Sequence, residues 1–203
     1  MRQQLPTVCI VDDEKIVCNG LRFLLESAGL RTLSFVSATQ YLDRFDASLP
    51  GCVLVDNVMP GMCGLDLLKR LVAKGRHPPV IMISGQCDVP TAVRAMKIGA
   101  VDVLLKPFKD EILIGSLQRA IAIDAQQRER DLRIAEINER LNRLTPRERQ
   151  VFEQVITGKL NKHIADYLGV SVATIQVHRL SLMRKLEANH VSQLVRMKYA
   201  LEQ

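Results

Sequence analysis

Four apolar runs stop abruptly at polar side chains. Thr7-Val-Cys-Ile-Val11 ends at Asp12-Asp13-Glu14, Gly51-Cys-Val-Leu-Val55 at Asp56, Pro79-Val-Ile-Met-Ile83 at Ser84, and Val101 to Leu105 at Lys106. Carboxylates crowded into one loop oppose one another's ionisation unless a cation compensates. An all-oxygen set of this kind suits Mg²⁺. An ionised aspartate is a competent nucleophile without a general base, and a metal, an ammonium and a hydroxyl can share the oxygens of a transferring phosphoryl group. That chemistry makes Asp56 the candidate phosphoryl acceptor, with Asp12 and Asp13 as candidate metal ligands and Ser84 and Lys106 as candidate phosphoryl contacts.

These residues can act together only if the runs are neighbouring strands. The runs are short, rich in Val and Ile, and separated by patterns of helical period. Val17, Leu21, Leu24, Leu25 and Ala28 predict a helix that Gly29 ends, Arg31 to Val36 a second strand, and Ser37 the cap of a short helix bearing Tyr41, Leu42 and Phe45. Pro50-Gly51 breaks into the strand before Asp56, Pro60-Gly61 and Gly64 mark a loop, and Leu65 to Val72 and Asp88 to Ile98 read as helices. Five β/α units between residues 7 and 123 imply a doubly wound parallel sheet with right-handed crossovers. Its carboxyl edge, where all the polar signals fall, is where such folds bind ligands.

From Asp110 to about Arg143 the chain lacks proline and strand pattern and reads as helix. Ile134, Ile137, Leu141 and Leu144 form a short stripe, open to packing on a second domain or to a dimeric coiled coil. Thr145-Pro-Arg-Glu148 is a helix start with a capping box. Val151, Phe152, Val155 and Ile156 give that helix its core face. Asn161 to Leu168, the turn Gly169-Val-Ser171 and a helix from Val172 to Leu186 have helix-turn-helix spacing. Ile175, His178, Leu182 and Leu186 share one side of the last helix, leaving Gln176, Val177, Leu180 and Arg184 outward, where glutamine can read adenine and aliphatic groups can touch thymine methyls. Lys162, Thr174, Arg179, Arg184 and Lys185 are placed to meet phosphates, and His178 either reaches one as well or sits satisfied at the boundary of the helix packing.

Charge supports that division. Residues 141–203 carry ten basic against five acidic side chains and so hold most of the net +6, as a module facing a polyanion would. The five cysteines are widely spaced with no C-x-x-C pair, which reads as reduced thiols, with Cys63 and Cys87 the candidates for oxidation. No apolar run reaches membrane-span length and the N-terminus lacks a signal-peptide core, so the expected location is cytoplasmic, with no membrane partner.

Asp12-Asp13-Glu14, Asp56-Asn-Val-Met-Pro-Gly61 and Lys106-Pro-Phe108 closely resemble the receiver domain of two-component response regulators, of flavodoxin-like fold. Leu144-Thr-Pro-Arg-Glu-Arg149, Gly158-Lys-Leu-Asn-Lys-His-Ile-Ala165 and Thr174-Ile-Gln-Val-His178 resemble the LuxR-type helix-turn-helix, and together they place the chain near the FixJ and NarL group. The resemblance implies a receiver over residues 1–123, a helical linker over 124–141 and an all-α DNA-binding domain over 142–203. It implies Mg²⁺ held by Asp12, Asp13, Asp56 and the carbonyl of Val58, phosphoryl contacts from Ser84 and Lys106, and a cis Lys106-Pro107 bond. Its partners would be a cognate sensor histidine kinase, promoter DNA, a second copy on activation and RNA polymerase, with Val191, Leu194, Val195, Lys198 and Leu201 of the last helix supplying the dimer face. Such a chain is no enzyme beyond self-phosphorylation and autodephosphorylation. A phosphatase of the haloacid dehalogenase type would need an acid where Val58 stands. Val103 occupies the position of the family's aromatic switch and is too stiff and small for that reorientation. The rival expectation is a DNA-binding regulator whose receiver is a phosphorylation-independent dimerisation scaffold.

Overall fold

The computed structural model describes residues 5–85 and 89–202; Cys87 and the expected helix start at Asp88 lie outside them. The chain forms two compact units, Met1–Gln127 and Arg128–Gln203.

In the first unit β1 (Thr7–Val11), α1 (Lys15–Ser27), β2 (Arg31–Phe35), α2 (Ala38–Asp43), β3 (Gly51–Asp56), α3 (Gly64–Ala73), β4 (Val80–Ser84), α4 (Val89–Ile98) and β5 (Asp102–Leu105) alternate, and α5 (Asp110–Asn142) follows. The strands form one parallel sheet in the order β2-β1-β3-β4-β5. Alternation divides its side chains between two cores. Val8, Ile10, Leu54, Ile81 and Ile83 pack with Cys18, Leu21 and Leu25 of α1 and Leu113, Leu117 and Ala120 of α5. Val11, Val53, Val55 and Met82 pack on the other face with Tyr41 of α2, Leu67, Leu68 and Leu71 of α3, and Ala95 of α4. Both faces are covered over the central β1, β3 and β4, which is why those strands read as continuous apolar runs, whereas the edge strands β2 and β5 are only partly buried.

The strand that carries Asp56 is gripped at its start. Thr7 donates its backbone N–H to the Pro50 carbonyl, and a Cβ on Gly51 would stand 1.9 Å from the Thr7 carbonyl oxygen, so only glycine fits. The Gly51 N–H donates to Asp124 of α5 at 2.8 Å. That buried carboxylate anchors the helix to the sheet's amino edge, a role without local sequence signal.

The second unit comprises the end of α5 with α6 (Pro146–Val155), α7 (Asn161–Leu168), α8 (Val172–Lys185) and α9 (Val191–Glu202). Ile137, Leu141 and Leu144 are buried with Val151, Phe152, Val155, Ile164, Ile175, Leu182 and Leu194, so the stripe packs on its own unit. Thr145 and Glu148 form the expected capping box.

After α8, Glu187 adopts φ 53°, a conformation that strains a side chain bearing a Cβ by about 1 kcal/mol. Its ion pair with Arg140, at 3.2 Å, is largely exposed and returns little. Glu187→Gly is therefore expected to raise the denaturation midpoint slightly; a lower midpoint would show that the ion pair outweighs the strain.

Candidate functional site

The end of β1 turns into the loop holding Asp12 and Asp13; Asp56 and Ser84 are the last residues of β3 and β4, and Lys106 follows β5. Asp12, Asp56 and Ser84 are buried, while Asp13 is exposed. One oxygen of each buried carboxylate is fixed by backbone: Asp12 Oδ1 accepts from the Glu14 N–H at 2.9 Å and Asp56 Oδ2 from the Val58 N–H at 2.6 Å. The other oxygens turn to Lys106, whose Nζ lies 2.7 Å from Asp56 Oδ1 and 3.3 Å from Asp12 Oδ2. The Lys106 backbone N–H donates to the Ser84 carbonyl at 2.9 Å, and the Lys106-Pro107 bond is cis, as the resemblance implies.

The electrostatics follow from this crowding. Burial pushes the Asp12 carboxyl above the usual range, more than the Glu14 N–H and the Lys106 charge pull it down. Burial also disfavours the Lys106 ammonium, but its bonds to Asp56 and Asp12 prevail and hold its proton more tightly than usual.

Among the described residues, no group of three or more His, Cys, Asp or Glu side chains already closes on one point as a metal would require. The residues nevertheless fit an oxygen-liganded cation. Lys106 shows that the space between Asp12 and Asp56 takes a positive charge, and Asp13 stands in the same loop. The buried Asn57 Oδ1 has no hydrogen-bond partner among the described residues, but strand alternation puts that side chain on the opposite face of the sheet from Asp12 and Asp56.

Val103 pairs with Met82 and is half-buried against the core formed by α2, α3 and α4. A valine there leaves no aromatic ring to swing between buried and exposed positions.

In the second unit, Ser171 caps α8 by accepting from the Thr174 N–H, and Ile175 and Leu182 are buried. Gln176, Val177, Leu180 and Arg184 project outward as the period required, with Val177 65% and Leu180 74% exposed. Lys162 is exposed, His178 half-buried, and Arg179 donates to Asn161 Oδ1 at 2.6 Å.

Two expected surface roles need correction. Lys185 donates to the buried Glu148 at 2.6 Å, so its ammonium is taken up inside the unit rather than offered to phosphate. Leu194 is 0% exposed, because the apolar face of α9 closes the unit's own core, with Val191 and Leu201 packed partly against it. Val195 and Tyr199 are the large apolar residues that α9 leaves exposed, and Lys198 lies 3.9 Å from Glu153 and 3.7 Å from Glu202.

The sheet with its acidic carboxyl edge and the helix-turn-helix define a two-domain signalling regulator, and comparison with known proteins agrees. Residues 8–118 match the response regulator receiver domain and residues 142–198 the bacterial regulatory proteins of the luxR family. The chain is 44% identical to the transcriptional regulatory protein FixJ of Azorhizobium caulinodans, over 97% of its own length and 93% of the relative's. It is 40% identical to the response regulator protein TmoT of Ectopseudomonas mendocina, over 97% and 89%. Among solved structures, the response regulator StyR aligns with a TM-score of 0.86 at 36% identity, covering 96% of this chain and 98% of that one. Full-length FixJ from B. japonicum aligns with a TM-score of 0.59 at 39% identity, covering 97% of each. This chain belongs to the two-component response regulators of the FixJ/NarL type, transcriptional regulators with a receiver domain and a LuxR-type DNA-binding domain.

Proposed function

We propose that the protein is a phosphorylation-controlled transcription regulator that takes a phosphoryl group on Asp56 from a sensor histidine kinase and then binds promoter DNA as a dimer. The observation that carries this reading is the Asp56 carboxylate held at the sheet's carboxyl edge against Lys106 and beside Asp12. Asp12, Asp13, Asp56 and the Val58 carbonyl would hold Mg²⁺. When bound, that ion neutralises charge on the attacking carboxylate and on the phosphoryl oxygens. Asp56 attacks phosphorus through Oδ1, the oxygen not fixed by the Val58 N–H, as the bond from phosphorus to the kinase's histidine nitrogen breaks and that nitrogen leaves with the electron pair. Lys106 then turns its ammonium to the new phosphoryl oxygens, and the Ser84 hydroxyl donates to another. On this reading the group rests on Asp56 as an acyl phosphate, and Asp56 acts as a switch rather than a turnover site.

The outer face of α8 reads DNA through Gln176, Val177 and Leu180, while Lys162, Thr174, His178, Arg179 and Arg184 position it on the backbone. Domain limits of 1–123, 124–141 and 142–203 follow this division of labour. Val195, Tyr199 and Lys198 are among the groups of α9 available to a second copy, RNA polymerase is the further partner, and the setting is cytoplasmic. No described helix is long and apolar enough to cross a membrane.

Val103 favours the scaffold reading, in which the receiver pairs copies without phosphorylation. Incubation with an acyl-phosphate donor and Mg²⁺ separates the two: a gain of one phosphoryl group by mass, with tighter promoter binding, supports the switch, and unchanged affinity the scaffold. On the DNA side, Gln176→Ala is expected to weaken binding to the preferred sequence by about 1–3 kcal/mol and relax specificity at one base pair. Equal loss on all sequences in a gel-shift series would assign Gln176 to the backbone instead.

A further inference from the structure

α8 buries Ile175 and Leu182 and exposes Gln176, Val177 and Leu180; Arg179 lies between these two sides and is half-buried. Its Nη1–H donates to Asn161 Oδ1 at 2.6 Å, reaching the first residue of α7. Among the described residues the guanidinium makes this bond and no ion pair, whereas Lys185 on the same helix is matched by Glu148.

A guanidinium keeps its charge in a protein and offers five N–H donors in a rigid planar fork. Holding it part way out of water is costly unless an anion answers the charge. Asn161 does not answer it: the amide oxygen accepts one N–H but carries no charge, where an aspartate would have completed an ion pair. The bond instead fixes the plane of the fork. With Nη1 engaged, the edge formed by Nε–H and Nη2–H is left to meet two oxygens of one anion, the paired contact that arginine makes with phosphate. A fork already held in place also loses less freedom on binding than a loose side chain does.

We infer that Asn161 is a positioning residue for DNA: it holds the Arg179 guanidinium, still charged, in the orientation in which that group meets a backbone phosphate. This rests on the proposed docking of α8, and it adds a residue of α7 that acts through Arg179.

The test is DNA affinity as a function of salt, read by fluorescence anisotropy on a duplex selected from random sequence, for the full chain after treatment with an acyl-phosphate donor. Wild type, Asn161→Ala, Arg179→Ala and the double variant are compared, each well below its melting temperature, so that lost folding cannot imitate lost contact. One phosphate contact contributes about 0.9 to the slope of log affinity against log salt. Arg179→Ala is expected to lose about that much slope, with affinity about eightfold lower at about 0.1 M salt. Asn161→Ala, which keeps every charge, is expected to lose most of the same slope, and the double variant to bind no worse than Arg179→Ala, because both changes remove one contact. If Asn161 only braces α7 against α8, its loss lowers affinity by one factor at every salt and adds to that of Arg179→Ala; that result would overturn the inference, as would wild-type affinity in Asn161→Ala. An unchanged slope in Arg179→Ala removes Arg179 from the phosphate contacts and the inference with it, and a wild type that binds no duplex removes the docking of α8, so neither outcome can be mistaken for a failure of Asn161 alone.

Discussion

Asp56→Asn is expected to abolish phosphoryl uptake and, with it, any donor-dependent gain in DNA affinity. The amide keeps the shape of the carboxylate and can still accept the Val58 N–H, now made at 2.6 Å, so the loop is preserved. What disappears is the nucleophile, since an amide oxygen carries no charge to attack phosphorus. Lys106 loses its shorter contact but keeps Asp12 at 3.3 Å, so its ammonium is not left without a carboxylate. In the wild type, coupling between phosphorylation and DNA binding should amount to about 1–3 kcal/mol, or 5- to 150-fold in affinity. Mass measurement of intact protein and parallel gel shifts with and without donor check both halves. A donor effect on DNA binding of equal size in Asp56→Asn would remove Asp56 from the signalling route.

The two arms of the assay also separate input from relay. On the proposed reading, phosphoryl uptake depends on Asp56 and its immediate neighbours, and the response on DNA on a relay past Ser84 and Val103, where the chain departs from the family pattern. Uptake without response would place the failure at that relay.

The candidate site of the first unit was legible because its polar groups close strands: Asp12 follows β1, Asp56 and Ser84 end β3 and β4, all three strands buried throughout, and Lys106 follows the partly buried β5. The apolar runs, the breaking residues and the register of Asp12, Asp56, Ser84 and Lys106 are all local properties of the chain. What stayed hidden depends on distant partners. Asp124 reads as one more charge on a charged helix until it meets the Gly51 N–H, and Lys185 reads as a phosphate contact until Glu148 takes its ammonium. Leu194 shows the limit of periodicity: the spacing in α9 identifies an apolar face but not whether that face meets the unit's own core or a second copy. Asn57 gave no signal, because burial of one oxygen is visible only in three dimensions.

Glu148→Ala is expected to cost the second unit about 3 kcal/mol, because the carboxylate joins two helices as well as capping one. Its Oε2 accepts from the Thr145 N–H at 2.7 Å and from Lys185 Nζ at 2.6 Å, and its Oε1 from the Ser181 hydroxyl at 2.6 Å. α6 is thereby fastened to α8, the helix proposed to face DNA. Burial works against the charge, but the bonds from Lys185, Ser181 and Thr145 overcome it and hold the pKa down from 4.5 to about 2. A depressed carboxyl pKa stabilises the folded state above the unfolded value and ceases to do so as pH falls through the folded one. The stability gap between wild type and Glu148→Gln should therefore be constant from neutral pH to about 4.5 and narrow between there and about 2. Hydrogen exchange of α6 and α8 amides in the full chain measures the gap without interference from the first unit. A gap that does not change over that range would mean that Glu148 acts through packing and not through its charge. On the proposed reading α8 presents Gln176, Val177 and Leu180 to DNA in fixed register, so the same variant should weaken specific DNA binding before it unfolds the unit, and a variant that binds DNA normally while losing the exchange protection would show that α8 holds its orientation without this anchor.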